Sequence, residues 1–267
     1  MTCEVVHTIG GGHARELTRD GTARGSMDAV FTLGGDGTAM EAVGALSGSD
    51  LPVGILPGGT GNQIARYLNT PLDIGRAVRA LLAGRVTQMD LGRMEDGRRM
   101  ALSAGFGMDV SMIEGASVRA KRIFGVGAYT WAGARALLAN ASIDVRATVD
   151  GRVFERTCAV AMIVNIGSFF AGRLKAGPGM TPDDGLLDLC VYSARSPLEG
   201  ADVLRRCFAG DFRPHRNMLF VRGESVRLET LAPAIGEVDG ELLAPGVLHA
   251  QVEPLAARLL RASARGD

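Results

Sequence analysis

The stretch VFTLGGDGTAMEAVGAL, residues 30–46, sets three glycines around one aspartate directly after a short apolar run. The pattern predicts a buried strand, a turn and a helix with Ala39, Val43 and Leu46 on one side. A helix start leaves backbone N–H groups unpaired, and glycine lets an anion approach the backbone closely, so the turn is a candidate phosphate site. Asp36 does not fit a bare phosphate cradle, because a carboxylate there needs a bridging cation or a proton to accept. The alternative is a tight turn with aspartate as a local turn former.

A second glycine turn follows in PVGILPGGTGNQIARYL, residues 52–68. Its glycines again lie between a predicted strand and a predicted helix. Two such turns on consecutive strands are rarer by chance than one, which favours phosphate binding. A Walker-type P-loop is excluded, because it needs a lysine after its glycines and the only lysines are Lys121 and Lys175.

The composition is that of a globular protein. The chain has 267 residues, of which 46% are hydrophobic and 22% charged, enough for one large domain or two ordinary ones. The formal net charge is zero and the basic residues are dispersed, so no nucleic-acid partner is expected. The four cysteines form no CxxC pair, and the N-terminus does not resemble a signal peptide. These features favour a cytoplasmic protein.

The first third of the chain alternates strand and helix signals, beginning with CEVVHT at residues 3–8. This rhythm predicts a parallel sheet covered by helices. From about Arg93 the period is nearer two and turns are frequent, which predicts mostly antiparallel β structure. One helical region, residues 115–140, is predicted to interrupt it.

Two domains are therefore expected. The predicted boundaries are 1–90 for an α/β nucleotide-binding domain and 91–252 for a larger, β-rich, sandwich-like domain. Residues 253–267 are a candidate to return to the first domain. The cleft between the two is the expected site.

Five motifs carry a resemblance: the two glycine turns, SAGFGMDV (103–110), PGMTPDDGLLDLCVY (178–192) and GEVDGE (236–241). In this order they resemble the diacylglycerol kinase catalytic-domain family, which includes soluble bacterial diacylglycerol kinases and the sphingosine and ceramide kinases. The resemblance covers nearly the whole chain. It implies a first domain related to NAD kinases and phosphofructokinases, followed by a β-rich domain that binds lipid and metal.

The resemblance also implies a set of site residues. Asp36 is expected to be essential, and Glu241 resembles the base that takes the proton from the lipid hydroxyl, although VDGE alone reads as an acidic turn. The residues expected to bind ATP are Thr8, Gly34, Gly35, Asp36, Gly37, Thr38, Glu41, Gly59, Thr60 and Asn62.

A Mg²⁺ site is implied in TPDDGLLD. Its ligands would be the Asp184 side chain and backbone oxygens of Thr181 and Leu186, with Asp109 reaching the metal through water. Read without the resemblance, the pattern of these acidic residues favours a solvated strand cap. A further Mg²⁺ would travel with ATP.

Residues 119–131 mix arginine and lysine with aromatic side chains, as in segments that seat a protein on an anionic membrane. An amphipathic helix packed inside is the alternative. The partner expected from the resemblance is a lipid substrate at a membrane surface, met by a peripherally associated enzyme. Homodimerisation stays open.

The expected activity is ATP-dependent phosphorylation of a lipid hydroxyl, with diacylglycerol as acceptor and phosphatidic acid as product. One departure weakens it: family members open with a strand and an Asn-Pro-x-Ser-Gly turn, whereas this sequence starts at the strand that follows. Ser103 also stands where relatives often carry asparagine. The alternatives are a soluble-metabolite kinase of the NAD kinase type and a catalytically impaired nucleotide- or lipid-binding homologue.

Overall fold

The computed structural model describes residues 2–25, 27–107, 134–139, 142–169 and 172–263. Its first part alternates helices and strands, as the sequence predicts. The elements are α1 (His13–Arg24), β1 (Val30–Gly34), α2 (Asp36–Ala45), β2 (Val53–Pro57), α3 (Gln63–Tyr67), α4 (Ile74–Leu82) and β3 (Arg85–Met94).

The strand, turn and helix expected in residues 30–46 are present. β1 and β2 pair in parallel, from Val30 opposite Val53 to Gly34 opposite Pro57. Both strands therefore end at the same edge of the sheet, and α2 and α3 begin just beyond it. The two glycine turns consequently lie side by side.

The prediction of a strand at CEVVHT, residues 3–8, is wrong. Residues 2–9 form no strand, and Val5 and Ile9 are 74% and 89% exposed. A strand is stabilised by a hydrogen-bonded neighbour and by burial of its apolar side chains, and this segment has neither. On β1, which is an edge strand of the described sheet, Phe31 and Leu33 are exposed as well.

The remaining elements form the β-rich part. They are β4 (Arg99–Met100), β5 (Ser103–Phe106), β6 (Ile143–Val149), β7 (Arg152–Cys158), β8 (Val160–Val164), β9 (Ser168–Phe169), β10 (Leu174–Lys175), β11 (Leu187–Tyr192), α5 (Pro197–Ala209), β12 (Met218–Gly223), β13 (Ser225–Thr230), β14 (Gly236–Val238), β15 (Glu241–Leu243) and β16 (Val247–Arg261).

One long strand joins the two parts. β16 pairs in parallel with β2 through Leu259 and Val53, and in antiparallel fashion with β3 and β13. The large sheet therefore runs β1-β2-β16-β13-β6-β7, with β3 also on β16 and β4 on β3. A bulge between Glu253 and Ala257, with Leu255 at φ 53°, breaks the register of β16.

A second, antiparallel sheet packs against the β-rich half of the first. Its order is β12-β11-β8-β5-β14-β15. Apolar side chains from both sheets form one core, among them Phe106, Ile163, Leu189 and Leu228. The predicted α/β part followed by an antiparallel sandwich is thus confirmed.

The helix α5 was not predicted. Its sequence carries the usual boundary signals: the Ser196 hydroxyl accepts the Glu199 N–H, Pro197 opens the helix, and Gly210 follows it in the left-handed conformation at φ 66°. Residues 134–138 are helical, and most of the predicted helical region 115–140 lies outside the described residues. In the part of the chain described here, no helix is long and apolar enough to cross a membrane.

Candidate active site

Asp36 links the two glycine turns through hydrogen bonds. It is the first residue of α2 and is only 7% exposed. Its Oδ1 accepts the backbone N–H groups of Gln63, at 2.6 Å, and Ile64, at 3.2 Å, which begin α3. Burial raises the pKa of Asp36 above its ordinary value, and these N–H donors oppose the rise. This oxygen of the predicted catalytic carboxylate therefore positions α3.

The second oxygen of Asp36 lies over Gly61. A Cβ at Gly61 would come within 2.8 Å of Oδ2, so only glycine leaves that oxygen its space. Because Oδ1 holds α3, Oδ2 is the oxygen that Asp36 can offer to a ligand.

Most of the glycines allow close contact between the two turns. A Cβ on Gly59 would lie 2.4 Å from the Gly35 Cα, and one on Gly58 would lie 2.9 Å from the Gly34 nitrogen. The Gly58 N–H donates to the Gly34 carbonyl at 2.8 Å. These glycines are thus explained by backbone packing without a ligand.

Gly37 is the exception. It is exposed in the first turn of α2, and a Cβ there would meet nothing within 4 Å. No neighbour in the described part of the chain therefore requires glycine at this position. The space beside Gly37 is open, at the start of a helix where unpaired N–H groups attract an anion.

The second turn is closed by Asn62. Its backbone is left-handed, at φ 47°, and its side chain accepts the Gly59 N–H at 2.9 Å and donates to the Gly59 carbonyl at 2.7 Å. Thr60 is exposed at the tip of this turn. In the first turn, Thr38 packs against Gly34, where a Cβ would lie 2.8 Å from the threonine hydroxyl.

Glu41 occupies the start of α1. Its carboxylate accepts the backbone N–H groups of Gly12, at 2.7 Å, Ala14, at 3.0 Å, and Arg15, at 3.3 Å. This helix start is therefore already satisfied by a carboxylate. Thr8 lies in the exposed segment that precedes α1.

A cleft lies between the start of α2 and the β14–β15 hairpin. It encloses about 360 Å³, part of it open to solvent. It brings two predicted nucleotide-binding residues, Gly37 and Glu41, to the same space as Glu241. The lining residues are Arg15, Gly37, Met40, Glu41, Arg98, Arg99, Val238, Asp239 and Glu241.

Asp239 anchors the hairpin. Its carboxylate accepts the backbone N–H groups of Ala101, Leu102 and Ser103 at 2.8 to 3.0 Å, and its backbone is left-handed at φ 49°. Burial raises its pKa to about 6. Glu237 lies beneath, 2% exposed, and accepts the Gly240 N–H at 2.8 Å; burial raises its pKa to about 8.

Glu241 is the exposed acid of the hairpin, with 72% of its side chain accessible. Arg98 approaches it at 3.5 Å and also pairs with Asp96 at 2.6 Å. Arg99, by contrast, is held by both oxygens of Glu253. Glu241 thus faces the cleft with a freely accessible carboxylate.

Asp90 is a polar residue that sequence reasoning missed. It is fully buried on β3, and its two oxygens accept the N–H groups of Gly185 and Leu255, each at 2.7 Å. It therefore links the predicted metal loop to the bulge of β16. The available signal was a lone aspartate in a strand that is otherwise apolar at its centre.

The predicted Mg²⁺ loop is organised by side-chain and backbone donors. The Asp184 carboxylate accepts the Thr181 hydroxyl at 3.0 Å and the Leu186 N–H at 3.1 Å, and it forms an ion pair with Arg222. Asp109 lies outside the described residues. Within the described ranges, no three His, Cys, Asp or Glu side chains are grouped to hold a metal. Because the predicted metal carboxylate is paired with a guanidinium, this arrangement does not fit a resident Mg²⁺.

Comparison with known families matches both parts of the chain. Residues 1–94 match the diacylglycerol kinase catalytic domain, and residues 102–261 match the YegS C-terminal NAD kinase beta sandwich-like domain. The chain belongs to the family that combines a diacylglycerol kinase catalytic domain with a YegS C-terminal NAD kinase beta sandwich-like domain. This confirms the family predicted from the motifs and places the protein among lipid kinases.

Curated relatives are of moderate similarity. A diacylglycerol kinase from Staphylococcus aureus (strain bovine RF122 / ET3-1) is 28% identical over 218 residues, which are 81% of this chain and 69% of that protein. The uncharacterized protein sll0036 from Synechocystis sp. is also 28% identical over 218 residues, 80% of this chain. The chain spans about half the length of that second relative, 50%.

Solved structures share the fold. A putative diacylglycerol kinase from Bacillus anthracis str. Sterne has a TM-score of 0.81 at 21% identity and covers 98% of this chain and 85% of its own. An NAD kinase from Archaeoglobus fulgidus in complex with ATP has a TM-score of 0.50 at 15% identity, over 94% and 82% of the two chains. At these identities the likeness concerns the fold alone.

Proposed function

We propose that the protein transfers the γ-phosphoryl group of ATP to the hydroxyl of a membrane lipid, with diacylglycerol as acceptor and phosphatidic acid as product. Its curated relatives from Staphylococcus are diacylglycerol kinases. The observation that carries the proposal is the cleft, in which the open start of α2 at Gly37 faces the exposed carboxylate of Glu241.

The nucleotide phosphates lie at the start of α2. Gly37 leaves room beside unpaired N–H groups, and Arg15 and Arg98 supply positive charge to the same cleft. ATP enters as its Mg²⁺ complex, and the ion neutralises part of the phosphate charge. Asp36 holds α3 against this turn and keeps Oδ2 for the ligand side.

The acceptor hydroxyl lies at Glu241. A neutral alcohol is a poor nucleophile, so a carboxylate within hydrogen-bond reach that takes its proton during the transfer is the simplest activator. Among the three acids of the hairpin, Glu237 is buried and Asp239 is committed to three backbone donors. Glu241 alone of these three is free to approach a substrate.

The acceptor resides in a bilayer, so the enzyme works at a membrane surface. The proposal is peripheral association from the cytoplasmic side. A homodimer stays a prediction.

A labelled-phosphate assay tests the proposal. The full chain is incubated with MgATP carrying a labelled γ-phosphate, with mixed vesicles that contain diacylglycerol, ceramide and sphingosine, and with NAD in solution. Phosphatidic acid is the expected labelled product, and Glu241→Gln removes it. Glu155→Gln, an exposed glutamate on β7 outside the cleft, is the matched control and keeps full turnover.

Other products would redirect the proposal. Label on ceramide or sphingosine retains lipid phosphorylation and rejects diacylglycerol. Label on NAD makes the protein a soluble-metabolite kinase. ATP binding without any labelled product identifies a binding homologue that does not turn over.

A further inference from the structure

The loop that resembles a Mg²⁺ site already contains a cation, the guanidinium of Arg222. Its Nη2 forms an ion pair with Asp184, the residue expected to bind the metal. Its Nε donates to Asp188 Oδ1 at 3.0 Å. One arginine therefore bridges two carboxylates of the same motif.

The sheet register places Arg222 there. β11 and β12 are antiparallel, and Asp188 lies directly opposite Arg222. Cross-strand neighbours of opposite charge stabilise each other, and the arginine is long enough to reach from this position into the preceding turn. Asp188 is only 3% exposed, so its charge needs a partner that is fixed in place.

The carboxylates of Asp90 and Asp184 are both engaged by donors of the chain. Both oxygens of Asp90 accept backbone N–H groups, from Gly185 and Leu255. Asp184 also accepts the Thr181 hydroxyl and the Leu186 N–H. Mg²⁺ requires six oxygen ligands at about 2.1 Å, and a guanidinium on its only carboxylate ligand repels it.

We propose that Arg222 replaces the resident divalent cation in this chain and ties residues 181–188 to the sandwich through Asp184 and Asp188. The second part of the molecule then folds without a divalent ion. The Mg²⁺ that accompanies ATP is a separate requirement. This inference does not depend on which lipid is phosphorylated, because its test is stability and not turnover.

The test uses the full chain without nucleotide. Its melting temperature is measured after EDTA treatment and again with millimolar Mg²⁺. We expect the two values of the wild type to agree within experimental error. Arg222→Met leaves two uncompensated carboxylates, so it melts several degrees lower in EDTA and regains part of the loss in Mg²⁺.

Arg227→Met is the matched control. Arg227 lies on β13, pairs with Glu95 and Glu229, and has 37% of its side chain exposed, against 38% for Arg222. We expect a smaller loss and no response to Mg²⁺. Arg222→Lys, which keeps the charge, serves if Arg222→Met does not fold, and it should also be indifferent to Mg²⁺.

Three results would overturn the proposal. The first is a wild type that EDTA destabilises or that binds Mg²⁺ tightly in calorimetry. The second is an Arg222→Met variant no less stable than the Arg227→Met control. The third is an Arg222→Met variant that Mg²⁺ does not stabilise. If Arg222→Lys is used in its place, the third is an Arg222→Lys variant that Mg²⁺ does stabilise.

Discussion

Two Asp-Gly turns face each other across the cleft, one at Asp36-Gly37 and the other at Asp239-Gly240. In both, the aspartate accepts backbone N–H groups from a distant segment: two from α3 for Asp36 and three from residues 101–103 for Asp239. They differ in backbone. Gly37 lies in a helix, whereas Asp239 and Gly240 are left-handed, at φ 49° and 87°, and form a hairpin tip.

The difference separates residues that hold the site from residues that reach into it. In both turns the aspartate accepts hydrogen bonds that fix a distant segment. A residue one or two positions later, Gly37 or Glu241, lines the cleft. The helical turn presents unpaired N–H groups beside Gly37, which suits an anion. The hairpin turn presents the side chain of Glu241, which suits a proton transfer.

The largest expected effect is at Glu241. Glu241→Gln keeps the size and polarity of the side chain and removes its ability to accept a proton, so turnover should fall by about two orders of magnitude or more. The melting temperature should stay within a degree, because the side chain is 72% exposed. Steady-state kinetics with MgATP and lipid vesicles measures the first, and thermal unfolding the second. Near-normal turnover would remove Glu241 from the reaction.

Substitutions of Asp36 should lower turnover, and only those that remove the oxygen bound by α3 should also lower stability. Asp36→Asn keeps an oxygen for the Gln63 and Ile64 N–H groups, so the fold is retained while turnover falls by about two orders of magnitude. Asp36→Ala also leaves the start of α3 uncapped, which costs about 1–2 kcal/mol of unfolding free energy. Denaturant unfolding of both variants measures the difference. Equal unfolding free energies of Asp36→Asn and Asp36→Ala would show that the Asp36 carboxylate does not stabilise the start of α3.

The glycines give a paired test with a smaller effect. Gly37→Ala meets nothing within 4 Å, so stability is kept or raised by about 0.5–1 kcal/mol, while the methyl group takes up space beside the helix start and weakens ATP binding roughly tenfold. Gly59→Ala places a Cβ 2.4 Å from the Gly35 Cα, so it destabilises the fold. Calorimetry of ATP binding and thermal unfolding separate the two. Unchanged ATP affinity in Gly37→Ala would place the phosphates elsewhere.

Local patterns predicted the elements that depend on short-range signals. The apolar run and glycines of residues 30–46 gave the β1–α2 unit, and the period of two gave the antiparallel strands of the second part. The segment 2–9 carries a strand-like pattern too, but a strand also needs a neighbour, which its own residues do not specify. The α5 helix had both caps in its sequence and was overlooked.

The contacts that organise the site are long-range and could not be read from spacing. Asp36 meets residues 63–64, and Asp239 meets residues 101–103. Arg222 lies opposite Asp188 only because of the register of β11 and β12. Sequence reasoning therefore selected the right motifs for the family while leaving the partners of their acidic residues to the fold.

The smallest expected effect concerns the hairpin side and its response to pH. Burial raises the pKa of Glu237 to about 8 from the ordinary 4.5, so the folded state retains a proton that the unfolded state has already released. The corresponding stability is fully present below pH 4.5 and is lost as pH rises toward about 8. The pKa of Asp239 is raised to about 6, so its contribution has the same sign, and most of it is lost before pH 6.5.

Between pH 6.5 and 7.5 the loss due to Glu237 is at most about 1.4 kcal/mol, a fall in melting temperature of about 2–4 °C. Glu237→Gln is neutral at every pH and keeps an oxygen for the Gly240 N–H, so its melting temperature should fall less over that interval than that of the wild type. The exposed Glu155→Gln control should retain the wild-type slope. If Glu237→Gln and the wild type have the same slope, the buried carboxyl is not the group that titrates, and the hairpin that carries Glu241 owes its pH response to another residue.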